Sequence, residues 1–224
     1  MLEVLPTIAG ETDEYLASHP AVRRFCELAK SVAALEIEPA EKIAALRPAF
    51  GELLADQSWL PKAYGEACTS GGMGGGIGQW LLFRSADHSL VLFSLVVPPT
   101  ISTPVHDHLA WGLVGLYRGV QLERVYAHRG GDESRGEAHL DLVETRRVDV
   151  GDTYDLIPPD GDIHSVETIS DTASVSIHLL GGDAGCIWRH AFDPDAHSVR
   201  AFRSGYTNAT CPEDQRHPEH SHTH

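Results

Sequence analysis

From about Gln79 onward the chain is a succession of short β-rich runs, each closed by Gly, Pro or Asp. That texture restricts it to a sandwich or barrel of many strands. The runs are 79–84, 89–97, 110–118, 120–128, 139–148, 153–157, 163–169, 174–180 and 186–192. The punctuation between them includes Pro98-Pro99, Gly130-Gly131-Asp132, Gly151-Asp152, Pro158-Pro159-Asp160-Gly161 and Gly181-Gly182-Asp183. The stretch ahead of them, residues 12–56, reads as helical. Thr12-Asp13-Glu14 offers an acidic helix start, and Tyr15, Leu16, Val22, Phe25, Cys26, Leu28 and Ala29 recur near helical spacing. A second helix starts at Pro39-Ala40-Glu41, with Ile43, Leu46, Phe50, Leu53 and Leu54 as its apolar stripe. Between helices and strands, Ser70 to Gly78 is glycine-rich. No Lys-Ser/Thr follows it, and a strand rather than a helix comes next, so it reads as a mobile connector rather than a phosphate loop. The expected organisation is residues 1–78 as helical segment and connector, 79–211 as barrel, and 212–224 as a frayed, histidine-rich tail.

With 224 residues, the chain is long enough for one sizeable core. Its formal net charge of -15 at pH 7 argues against nucleic acid and against an anionic membrane as partners. Cys26, Cys68, Cys186 and Cys211 are far apart, and we expect reduced thiols in a cytoplasmic protein. Met1-Leu2-Glu3-Val4 lacks the features of a signal peptide, and no apolar run is long enough to cross a membrane.

Two histidines sit two apart in Thr103-Pro104-Val105-His106-Asp107-His108. On a strand that spacing aims both imidazoles to one side, a metal-ligand geometry. Downstream, Gly151…Pro159-Asp160-Gly161-Asp162-Ile163-His164 is a turn feeding a strand that starts with histidine, so a third imidazole can return to the first two. The run Ser174–Leu180 alternates: Val175, Ile177 and Leu179 make an apolar face, while Ser174, Ser176, His178 and Leu180 share the other.

Taken together these motifs resemble the two cupin motifs, which implies a mainly β, double-stranded β-helix (jelly-roll) barrel, here preceded by helices. The usual glutamate ligand of the first cupin motif would fall at Trp111, Gly112 or Leu113, so the chain is similar to the three-histidine variant. With Ser176-x-His178 it resembles the thiol dioxygenases, the cysteine dioxygenase and 3-mercaptopropionate dioxygenase family, over about residues 79–192. The resemblance implies Fe(II) held by His106, His108 and His164, with His178, oriented by Ser176, acting on oxygen or substrate. It implies Arg84 or Arg189 as a carboxylate anchor, and Leu180 and Trp111 beside the substrate. Two departures stand out. The family's tyrosine is replaced by Leu180, and no cysteine lies between His108 and Gly119 to form a thioether crosslink. The expected reaction is oxidation of a small thiol to its sulfinate by O2. Candidate thiols are 3-mercaptopropionate, mercaptosuccinate, ergothioneine or a cysteine-like molecule, and the expected assembly is a monomer or weak homo-oligomer. The alternatives are a zinc, nickel or manganese cupin hydrolase, lyase or isomerase, and a non-catalytic small-molecule-binding cupin.

Overall fold

The computed structural model describes residues 12–68 and 73–211. In chain order it contains β1 (Glu14–Tyr15), α1 (Pro20–Ala33), α2 (Pro39–Ala55), a 3-10 turn (Lys62–Gly65), β2 (Gly78–Arg84), β3 (Val91–Val97) and β4 (Val105–His106). These are followed by β5 (Gly112–Arg118), β6 (Gln121–His128), β7 (Leu140–Val148), β8 (Thr153–Leu156), β9 (His164–Thr168), β10 (Ser174–Leu180), β11 (Arg189–Asp193) and β12 (Ser198–Phe202).

The helices follow from local chemistry. Both carry proline at the first turn, where a missing N–H costs nothing. A capping box between Glu38 and Glu41 closes the start of α2. The first helix differs from its expected start. Tyr15 pairs with Phe83 as a short strand, and the helix begins only at Pro20, after the His19 cap. An extended pairing with a sheet edge satisfies the 14–15 backbone before the proline can open a helix.

The strands form two six-stranded sheets, ordered β1-β2-β3-β10-β5-β8 and β12-β11-β4-β9-β6-β7. From β3 to β10 the chain alternates between sheets except at the β6–β7 hairpin, and every sheet neighbour is antiparallel. The inner orders β3-β10-β5-β8 and β4-β9-β6-β7 are those of a jelly roll. Alternation along the strands then divides the core. Leu81, Phe93, Leu95, Val114, Leu116 and Leu180 fill the space between the sheets. Phe83, Leu92, Leu113, Val175, Ile177 and Leu179 point outward on the same sheet and are covered by Phe25, Leu46, Phe50 and Leu54 of the helices. Gly115 permits that close approach, since a Cβ there would collide with Leu54 and Phe50.

Three further expectations change. The strand carrying the first histidine pair ends at His106, and β12 adds a pairing that the runs did not reveal. Cys186 and Cys211 form a disulfide rather than remaining thiols, with Cα atoms 5.2 Å apart. The segment after β12 folds back on the 181–188 loop, where the Gly205 N–H donates to Gly185 O, and that return delivers Cys211 to Cys186. Part of the glycine-rich connector and all of the 212–224 tail lie outside the described residues. No helix among the described residues is long and apolar enough to cross a membrane.

Candidate metal centre

His106 on β4 and His164 on β9 are directly opposite each other in the sheet, so antiparallel register alone turns both rings to the interior. His108 arrives by a different route from the strand parity expected of it. After β4 the chain leaves the sheet, and Asp162 Oδ2 accepts both the His108 N–H (3.1 Å) and the Leu109 N–H (2.9 Å). Leu109 takes a positive φ of 54°, uncommon for a branched residue, and this turn points His108 back to the other two rings. The ligand atoms of His106, His108 and His164 lie within 4.8 Å of one another, and all three side chains are buried.

The proton positions suit a metal. The His106 Nδ1–H donates to Pro104 O at 2.9 Å, and the His164 Nδ1–H donates to Glu123 Oε1 at 2.8 Å. Each ring therefore presents the lone pair of Nε2. His108 Nε2 is 3.0 Å from His164 Nε2. Burial pushes His106 and His108 well below the ordinary histidine range, with the Arg189 charge and the neighbouring rings adding to the effect, so both are neutral and able to ligate. The donor set, three imidazoles converging on one point, fits a divalent first-row transition metal.

His178 and Ser176 lie on β10, on the interior face. Ser176 Oγ is 2.9 Å from His178 Nε2, and the His178 ring is stacked on Phe93 at 4.7 Å. The same ring lies 6.4 Å from that of His108, close to parallel. His178 Nδ1 is buried without a hydrogen-bond partner among the described residues. Burial also holds this imidazole neutral.

The two arginines are both buried but occupy different surroundings. Arg189 donates from Nη1 to Asp107 O (2.6 Å), from Nε to Ala184 O (3.1 Å) and from Nη2 to Ser204 Oγ (3.1 Å). Burial lowers its pKa to about 10, which leaves it charged at neutral pH. Among the described residues no carboxylate comes within ion-pair distance of it. Arg84, in contrast, is paired with Asp183 (3.2 Å) and Glu14 (3.3 Å) and lies over the Tyr206 ring. Tyr206 and Phe93 then stand between it and His178. Arg84 is therefore not brought to the triad. Trp111 is not brought there either: it packs on the helix side of the sheet, against Gly181, because β5 begins after it and turns its ring outward. Leu180 does face inward, packed on Gly112 where no side chain would fit.

Sequence reasoning missed the groups that hold the ligands. Glu123, Asp162 and the Asp107–His190 pair (2.6 Å) all support the triad, and Gln79 and Tyr154 leave buried polar atoms without partners in the barrel. The one signal for Glu123 is alternation: it shares strand parity with Gln121, and both are fully buried.

No family model matches the chain. Solved structures that align with it include peruvianin-I, a cysteine peptidase from Thevetia peruviana latex. That alignment has 20% identity and a TM-score of 0.38, and covers 51% of this chain and 66% of that one. Oxalate oxidase in complex with the substrate analogue glycolate aligns at 17% identity and a TM-score of 0.40, covering 57% and 61%. The cupin domain of Schizosaccharomyces pombe Cnp3 aligns at 16% identity and a TM-score of 0.35, covering 48% and 65%. The chain thus spans less than two thirds of each of these proteins. At such scores the fold assignment rests on the strand order of the two sheets.

Proposed function

We propose that this protein is an Fe(II)-dependent dioxygenase that converts a small thiol bearing an anionic group into its sulfinate. The observation that carries the reading is the convergence of three buried imidazoles beside a fourth, His178, that is held by Ser176 and left with a free nitrogen. That fourth imidazole is neutral and stands in an apolar wall of Phe93 and Leu180. The motif resemblance to the thiol dioxygenases supports the same choice. His106, His108 and His164 would hold the iron, which when bound supplies the redox chemistry by which O2 oxidises a thiol sulfur.

The chain's own residues do the rest. Ser176 fixes the plane of His178, and Phe93 limits its tilt. The free nitrogen of His178 can then hydrogen-bond the substrate or O2. Arg189 is a charged, buried fork with its geometry set by two carbonyls and a hydroxyl, and an anionic substrate group would supply the counter-charge it lacks. Leu180 and Phe93 exclude water and favour an apolar substrate body.

Purified protein would be analysed for metal, then loaded anaerobically with Fe(II) and screened for oxygen uptake and sulfinate over a panel of thiols. Uptake matched by sulfinate is expected. Changing His106, His108 or His164 to Ala should each abolish stoichiometric metal while leaving the circular dichroism spectrum intact. Oxygen-independent turnover, or full metal occupancy in His164→Ala, would overturn the reading.

A further inference from the structure

The three rings of the triad are backed in three different ways. The His106 Nδ1–H meets a backbone carbonyl, His108 Nδ1 is buried with no partner among the described residues, and the His164 Nδ1–H meets a carboxylate. That carboxylate, Glu123, is itself fully buried. Its second oxygen accepts from Arg146 Nε at 2.6 Å. Strand register builds the arrangement: Glu123 on β6 lies directly opposite Arg146 on β7, and on its other side lies diagonal to His164 on β9. The Tyr154 ring closes the group, with Arg146 over its face (4.9 Å) and the His164 ring near its edge (6.0 Å).

We propose that Glu123, clamped by Arg146, is a positioning residue for the metal, and that it makes His164 the strongest donor of the three ligands. This rests on the metal-centre reading above. A fully buried carboxylate is costly, and packing alone would favour an apolar residue there. His106 shows that a carbonyl suffices to fix a ring. A carboxylate adds electron density: it draws on the Nδ1 proton and raises the basicity of Nε2. Both Glu123 oxygens are taken up, Oε1 by the His164 Nδ1–H at 2.8 Å and Oε2 by Arg146 Nε at 2.6 Å. The Arg146 charge cancels that of Glu123, so His164 gains donor strength without a net negative charge beside the ion.

The test uses the full-length protein stripped of metal. Co(II) is titrated against a competing chelator into the wild type, Glu123→Gln and Arg146→Met, following the visible ligand-field bands. Glu123→Gln keeps the volume of the side chain. Its amide can accept from His164 only by turning its NH2 against Arg146. The expected result is about a 10- to 100-fold loss of Co(II) affinity with shifted bands, and a smaller loss for Arg146→Met. In the Zn(II)-loaded wild type, proton NMR should show a low-field, exchange-protected His164 Nδ1–H resonance. Wild-type affinity and unshifted bands in Glu123→Gln would overturn the proposal alone. Failure of the wild type to bind Co(II) would sink the metal-centre reading as well. If Glu123→Gln does not fold, the wild-type spectrum decides, and absence of the protected resonance overturns the proposal.

Discussion

Arg84 and Arg189 are both almost inaccessible, yet their charges are answered differently, and this separates their expected roles. Arg84 is neutralised by Asp183, so Arg84→Ala strands a buried carboxylate. It should cost on the order of 3 kcal/mol of stability, read as a lower urea midpoint, with the KM of the best thiol unchanged. Arg189→Ala should instead weaken an anionic thiol by roughly 2–5 kcal/mol at full metal occupancy, and Arg189→Lys should not restore it, because an ammonium cannot reproduce the fork. Wild-type KM in both variants would remove the carboxylate anchor. Leu180 carries a second expectation. It stands on the interior face and presents an alkyl surface where the resembled family has a tyrosine hydroxyl. The protein should prefer a larger or flatter thiol over cysteine. Leu180→Tyr should move preference towards small thiols, and should lose about 1–3 kcal/mol of stability by overpacking against Gly112. Sulfinate yields for both proteins over the same thiols check this, and cysteine emerging as the best wild-type substrate would defeat it.

The turn between β4 and β5 is what assembles the ligand set, and two carboxylates hold it. Asp162 takes the backbone of His108 and Leu109, while Asp107 takes both the N–H and the ring of His190 on β11. The turn is thereby tied to the strand that also begins with Arg189. The hydrogen bond to Asp107 raises the pKa of His190, with burial opposing and the Asp107 and Glu133 charges adding to it. A folded-state pKa above the unfolded value, about 6.5, means that protonated His190 favours the native state. That contribution is fully present below the unfolded pKa and is lost as pH rises through the folded one. Urea midpoints of the wild type should therefore fall, relative to those of His190→Gln, as pH rises above about 6.5. Parallel pH curves for the two proteins would show that the pair carries no linkage.

At the scale of the molecule, one sheet is apolar on both faces, and the helices are structural covers rather than an appendage. A chain shortened to residues 73–211 would expose Phe83, Leu92, Leu113 and Ile177, and should aggregate on expression, as sedimentation of the lysate would show. A soluble, monodisperse fragment would contradict the shared core. Much of this architecture was legible in the chain: the strand runs, the second helix, the alternation of β10 and the three histidines are all local patterns. Period and punctuation are properties of neighbouring residues, so they survive reading in one dimension. What stayed hidden depends on contacts between residues far apart in sequence. The strand ends at His106 because Asp162, from the β8–β9 connection, claims the amides of His108 and Leu109. Glu123 reads as one more polar residue on a strand until register places it behind His164. Arg84 and Arg189 are indistinguishable as letters, and only Asp183, returning in the loop after β10, neutralises the first and leaves the second charged. The sequence by itself determined the β texture, the faces of its strands and the identity of the three histidines that converge. Tertiary structure alone decided which charges meet, because burial and pairing are set by the path of the whole chain.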